Sequence, residues 1–339
     1  MTRHGTLSFM LLVTGCVAAL ADDLADCNQR VDLDRRIRGC TSLIERVKDP
    51  QALSAFYEFR GLAFSDKGDQ DRAIADHSKA IALKPMDATP HYHRGLAHAR
   101  KREFDQAIRD FNKAIELDAR LALAYYNRAG VYRFKGDSDR AIADYTKAVE
   151  IDPAYALAYY GRAGTRQERG DYDGAIADFT KVLEIDPRAV SIYGLRGVAY
   201  ERKGDYAKAI ADHTKTIEFN PTTSKVYVVR GNAYLNQGDF ERAITDYSKA
   251  VELDPRSFFA FYARGLAYRN KGDLEQSIAD FTRSIEINPR DSFAMSNRGL
   301  TFEKMGAIDR AISDYRDALR LDASNKQSRE GLQRLGQTP

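Results

Sequence analysis

Tryptophan is absent from the 339 residues, proline occurs only nine times and cysteine three times. So few prolines leave long helices uninterrupted, and they exclude a collagen-like chain. Charge of one sign is also missing. Lys plus Arg number 52 against 49 Asp plus Glu, a net of +3, which is far from the basic excess that nucleic-acid binding needs. A nucleic-acid partner is therefore not expected. Beyond the first 21 residues no segment is apolar enough to enter a membrane. What is abundant is core material: 43% hydrophobic residues with 19 Tyr and 16 Phe, too much for a disordered chain. The length allows two average domains or one elongated array.

The opening residues read as an address. Arg3 and His4 precede the apolar stretch Leu7 to Leu20, and Ala19-Leu20-Ala21 stands before Asp22-Asp23. This is the pattern of a secretory signal peptide cleaved after Ala21. The alternative is Val13-Thr14-Gly15-Cys16, a lipoprotein-like box with acylation at Cys16. Cleavage after Ala21 leaves Cys27 and Cys40, an even pair suited to an oxidising compartment. A disulfide is the leading reading for them; two buried thiols remain open, and metal binding is weaker because no His lies in the same segment.

Internal repetition decides between two domains and one array. Arg followed by Gly or Ala occurs at Arg60, Arg94, Arg128, Arg162, Arg196, Arg230, Arg264 and Arg298, always 34 residues apart. Ala-Ile-Ala-Asp runs such as Ala141 to Asp144 and Ala175 to Asp178 recur in the same register. Eight units follow: 54–87, 88–121, 122–155, 156–189, 190–223, 224–257, 258–291 and 292–325. In the third, Tyr125, Ala129 and Tyr132 share one helical stripe, Gly136-Asp137 supplies a turn, and Ala141, Tyr145, Ala148 and Ile151 form a second stripe that ends before Pro153. Each unit is thus helix, turn, helix, and it must stack on its neighbours to bury both faces.

This pattern resembles the tetratricopeptide repeat. In the unit 224–257 the matching positions are Tyr227, Gly231, Tyr234, Ala243, Tyr247, Ala250 and Pro255. The resemblance implies an all-α class: an α-solenoid, a right-handed superhelix of antiparallel helix pairs. Residues 22–53 then read as a degenerate N-terminal hairpin that caps the array. In that alignment Cys40 takes the aromatic position of a second helix and Cys27 the second Tyr position of a first helix. Residues 326–339 form a C-terminal capping helix and tail with Leu332 and Leu335 inward.

One departure from the family is informative. Where many of its repeats carry Leu, all eight units carry Arg before the Gly or Ala, and each has an Asp 16 residues later, from Arg60 and Asp76 to Arg298 and Asp314. Antiparallel helices place such a pair face to face, so a repeated intra-unit salt bridge is expected.

The resemblance further implies that first helices line a concave groove. Candidate contacts there are Leu123, Tyr126, Asn127, Arg133, Leu157, Tyr160, Glu168, Arg202, Asn232, Asn236, Phe259, Tyr262, Arg269, Asn270, Phe293 and Asn297. Aromatic anchors interleaved with Asn and Arg suit a protein or peptide segment, whose backbone needs hydrogen bonds and whose side chains need pockets. The family's carboxylate clamp is not reproduced: its first Lys position holds an uncharged residue in seven units and Glu58 in the other.

No phosphate-cradling loop, nucleophile elbow, metalloprotease helix or calcium loop occurs, so neither an enzyme nor a cofactor is expected. His77, His91 and His98 occupy core aromatic positions near one interface. They read as tolerated core residues, with a metal or small-ligand site as the alternative. The resulting expectation is a non-enzymatic interaction scaffold of the bacterial envelope, periplasmic. Its alternative is a lipid-anchored accessory protein of an envelope assembly or polysaccharide-export machine.

Overall fold

The computed structural model describes residues 20–338 and is helical throughout, with no strand among the described residues. Residues 1–19, which carry most of the expected leader and Cys16, lie outside it. Two compact units divide the chain between Arg169 and Gly170.

The first unit contains α1 (residues 20–28), α2 (Leu33–Arg46), α3 (Pro50–Asp66), α4 (Gln70–Leu83), α5 (Ala88–Arg100), α6 (Phe104–Leu117), α7 (Ala122–Phe134), α8 (Ser138–Ile151) and α9 (Ala156–Glu168). The second contains α10 (Tyr172–Ile185), α11 (Val190–Lys203), α12 (Tyr206–Phe219), α13 (Ser224–Gln237), α14 (Phe240–Leu253), α15 (Phe258–Lys271), α16 (Leu274–Ile287), α17 (Ser292–Lys304), α18 (Ile308–Leu321) and α19 (Lys326–Arg334). Within each unit successive helices pack on one another, so the fold is an α-solenoid of antiparallel pairs.

Local chemistry sets the helix ends. In the pair α11 and α12, Gly204 ends the first helix with φ 83°, a left-handed conformation that favours glycine. The next residue, Asp205, caps the second helix by accepting the Lys208 amide. Close approach comes from small residues. Ala129, Ala141, Ala148 and Ala158 are fully buried around Tyr145. At Gly231 an added Cβ would stand 2.6 Å from Tyr247 Cε1, so the Tyr247 ring lies directly on the backbone of α13.

The ends of the array differ. Cys27 and Cys40 are fully buried with Leu43 and Phe56, their sulfurs 1.99 Å apart. Leu20 packs against the same cluster. At the other end Leu332 is buried against Ala311 and Tyr315, with Leu335 beside it. No helix among the described residues is long and apolar enough to cross a membrane.

Candidate functional site: the face formed by the first helices

The repeated Arg holds each first helix in register. Seven Arg–Asp pairs lie within one unit or the other: Arg60 with Asp76, Arg94 with Asp110, Arg128 with Asp144, Arg196 with Asp212, Arg230 with Asp246, Arg264 with Asp280 and Arg298 with Asp314. Each is bidentate, with Nε on Oδ2 and Nη2 on Oδ1 at 2.7 to 2.8 Å. Arg162 and Asp178 share the repeat 156–189 but fall on opposite sides of the division between the two compact units.

The third guanidinium nitrogen reaches further than the sequence pairing suggests. Nη1 donates to the preceding second helix at 2.9 to 3.1 Å: Arg94 to Ser78, Arg162 to Thr146, Arg196 to Thr180, Arg230 to Thr214, Arg264 to Ser248 and Arg298 to Thr282, each 16 residues back, and Arg60 to Thr41, 19 residues back. Arg128 makes the same reach to Asn112 Oδ1. One side chain thus ties together three helices from two adjacent pairs. Aromatic rings flank the cation, Tyr125 and Tyr132 at 5.5 and 6.0 Å from Arg128.

First helices also touch one another from pair to pair, α3 to α5 to α7 to α9 in one unit and α13 to α15 to α17 in the other. Residues 35 apart meet across these neighbours. Asn127 donates to the Tyr92 hydroxyl at 3.1 Å, Asn297 donates to the Tyr262 hydroxyl at 3.2 Å, and Arg133 pairs with Glu168 through both Nε and Nη2. That pair raises the Arg133 pKa.

In the first unit the expected contact residues gather on α7 and α9. Leu123, Leu157 (56% exposed) and Tyr160 are exposed, while Tyr126 is half-buried between Tyr145 and Tyr155 at centroid distances of 5.8 and 5.1 Å. Burial pushes the Tyr145 hydroxyl up to about 12 and raises Tyr126. Phe134, absent from the expected set, is 79% exposed, stacked on Phe104, and lines a 380 Å³ cleft with Arg133 and Glu168. Its position at the very end of α7 puts it outside the core stripe that guided the reading.

In the second unit Phe259, Phe293 (63% exposed), Arg202, Asn236 and Asn270 are exposed. Asn232 is half-buried and accepts the Tyr247 hydroxyl at 2.8 Å. Tyr262 packs on Phe281 and Phe259 at 5.8 and 6.4 Å. Asn297 departs from expectation: it is 5% exposed, because its amide is used internally, donating to Tyr262 and the Phe293 carbonyl and accepting Arg269 Nη1 at 2.6 Å. Burial lowers the Arg269 pKa.

The histidines also group differently from the expected set. His77, His91 and His98 do not converge. His98 donates through Nδ1 to the Glu103 carboxylate, and both His91 and His98 stand beside Asp110 at 3.9 and 3.8 Å. His77 instead meets Glu58 at 2.9 Å, and Glu58 also holds His93 Nδ1. An acidic group therefore joins the histidine pair His77 and His93. Burial by itself would raise the Glu58 carboxyl, but the hydrogen bonds from His77 and His93 dominate together and hold it at about 2. Glu58 and His93 are one more pair 35 residues apart, a spacing that crosses the repeat boundary.

Family profiles described as TPR repeat match residues 61–101, 166–204 and 231–272. Profiles described as tetratricopeptide repeat match 88–120, 122–155, 190–223, 258–291 and 294–325. The chain matches none of the curated proteins with which it was compared. Among solved structures it is similar to the C-terminal part of a TPR repeat-containing protein from Cytophaga hutchinsonii, at 20% identity and TM-score 0.61, over 71% of this chain and 99% of that one. It is also similar to MamA, at 28% identity and TM-score 0.44, over 48% and 94%. A third is YrrB, described as a TPR protein with an unusual peptide-binding site, at 21% identity and TM-score 0.38, over 66% and 97%. The repeat period, the helix pairs and the profile matches agree, and the chain belongs to the tetratricopeptide repeat family.

Proposed function

We propose that this chain is an interaction scaffold that binds a protein or peptide segment on its first-helix face and performs no catalysis of its own. The observation that carries this reading is the set of exposed large apolar side chains on that face, Leu123, Leu157 and Tyr160 in one unit and Phe259 and Phe293 in the other. The helices bearing them are fixed by the Arg clasps, so little conformational entropy is lost on binding. Polar neighbours such as Asn236 and Asn270 are exposed beside them and can satisfy a partner's backbone. The test is crosslinking with mass spectrometry in native cell envelopes, comparing the wild type with a Leu123→Ala, Leu157→Ala, Tyr160→Ala triple variant. Recovery of a specific protein that the variant loses supports the scaffold; recovery of none, or of the same set with both, overturns it.

The setting proposed is the bacterial envelope, after export. The apolar stretch ending at Ala21 and the buried juxtaposition of Cys27 and Cys40 support it, since a Cys27–Cys40 disulfide persists only in an oxidising compartment. Mass spectrometry of the mature N-terminus distinguishes a soluble form beginning at Asp22 from a lipoprotein acylated at Cys16.

A further inference from the structure

We propose that Glu58, His77 and His93 form a binding site for a divalent transition-metal ion of the zinc type. The inference is independent of the scaffold reading, because its test measures metal and not partner.

Three repeat positions converge here, and each holds a metal-ligating residue. At the position of Glu58 the later units carry Tyr92, Tyr126, Tyr160, Gly194, Val228, Tyr262 and Ser296. At the position of His93 two of them carry Asn127 and Asn297, which make the neutral contacts to Tyr92 and Tyr262 already described. Only between α3 and α5 is this contact built from a carboxylate and an imidazole, and only there does the second helix add another imidazole, His77 of α4.

The donor atoms are gathered. One carboxylate oxygen of Glu58 and one ring nitrogen from each histidine all lie within 4.8 Å of one another. Zinc bonds of about 2.0 to 2.2 Å require donor separations of about 3.3 to 3.5 Å, so a small closing movement of the rings completes the set. His77 is fully buried and Glu58 is 8% exposed, whereas the His93 side chain is 20% exposed. An ion therefore enters past His93, and three protein ligands leave a fourth position on that side.

The chemistry of the set points the same way. Two imidazoles and one carboxylate form a mixed nitrogen and oxygen set that suits zinc and similar ions. Without an ion, the buried cluster leaves His77 Nε2 with no hydrogen-bond partner, a cost that a core Phe at this position, as at Phe111, avoids. The neighbouring group of His91, His98 and Asp110 is a poorer candidate, because Arg94 already occupies both oxygens of Asp110. His213 supplies an internal control. It occupies the position of His77 in a later unit, but it meets a single carboxylate, Glu201 Oε1 at 2.7 Å, and the residues matching Glu58 and His93 there are Gly194 and Val229.

The test uses the untagged full chain, stripped with chelator and equilibrated with zinc chloride at 10 µM free zinc. Elemental analysis is expected to find about one zinc per chain, and the melting temperature should rise with zinc. Glu58→Tyr with His93→Asn, which recreates the neutral contact of the other units, should lower zinc affinity at least 100-fold while circular dichroism and the zinc-free melt stay as in wild type. His77→Phe should do the same, and if it folds poorly the double variant carries the test alone. His98→Asn and His213→Phe should retain zinc. Absence of zinc from the wild type, retention by the double variant, or loss with His98→Asn overturns the assignment.

Discussion

Arg196 holds Asp212 by two parallel hydrogen bonds, Nε to Oδ2 and Nη2 to Oδ1, each 2.8 Å long, with the Asp212 side chain 7% exposed. A third bond runs from Nη1 to Thr180 of the preceding helix pair. Losing Arg196 alone would leave a buried carboxylate unpaired, which typically costs about 3 to 5 kcal/mol. Arg196→Leu should therefore lower the melting temperature markedly, and Arg196→Leu combined with Asp212→Leu should recover much of the loss. Thr180→Val removes only the inter-pair bond and should cost about 1 kcal/mol. Denaturant unfolding of the three variants checks the order; a single variant as stable as wild type contradicts the clasp.

Arg102 stands where seven other inter-helix turns place glycine, from Gly68 to Gly306, and its φ is 61°. A left-handed conformation costs a residue with a side chain roughly 1 to 2 kcal/mol, partly offset because glycine gains more freedom in the unfolded chain. Arg102→Gly should accordingly stabilise the protein by about 0.5 to 1 kcal/mol. Chemical denaturation at matched slope measures it, and a destabilised variant would mean that Arg102 makes a compensating contact.

The period, the helix pairs and the Arg–Asp pairing were legible in the sequence because all of them act within one unit. Contacts across the boundary between repeats were less legible. Thr, Ser or Asn stands 16 residues before seven of the eight repeat arginines, Arg60 being the exception, so the Nη1 contact had a visible signal, but antiparallel pairing alone explains only the Asp on the other side. The same limit hid Glu58 and His93, which meet diagonally across neighbouring first helices. Asn297 shows why a stripe at helical spacing overstates a surface. Its position faces the adjacent first helix as much as solvent, and with Tyr262 and Arg269 present the amide is drawn inward.

Cys27 and Cys40 are separated by 13 residues at the end of the array, where α1 and α2 have a small core of Leu43, Phe56 and partly buried neighbours. If the two sulfurs are bonded in the native protein, as the proposed export requires, the short loop they close should contribute about 3 kcal/mol. Thiol titration of denatured protein should find neither cysteine free after Ala21 cleavage. A Cys27→Ala, Cys40→Ala variant should melt earlier, with the loss confined to α1 and α2 in hydrogen exchange. Two reactive thiols in protein purified from the envelope would contradict the pairing.

The C-terminal helix is tied down by charge as well as by Leu332. Glu303 on α17 accepts Arg334 Nε at 3.0 Å and Nη2 at 2.9 Å, and it accepts the Tyr315 hydroxyl at 2.6 Å. The Arg334 hydrogen bonds hold the Glu303 carboxyl below its ordinary value, against the opposing effect of burial. A carboxyl whose folded pKa is depressed stabilises the fold fully above the unfolded value, about 4.3, and that contribution fades as pH falls through the lower folded value. The pair is partly exposed and screened, so it should contribute at most about 1 kcal/mol. The protection factors of the α19 amides, corrected for the pH dependence of intrinsic exchange, should therefore fall between pH 5 and pH 3 more in the wild type than in Glu303→Gln, whose α19 is already less protected at pH 7. An equal loss of protection in both would show that Leu332 packing alone docks the helix.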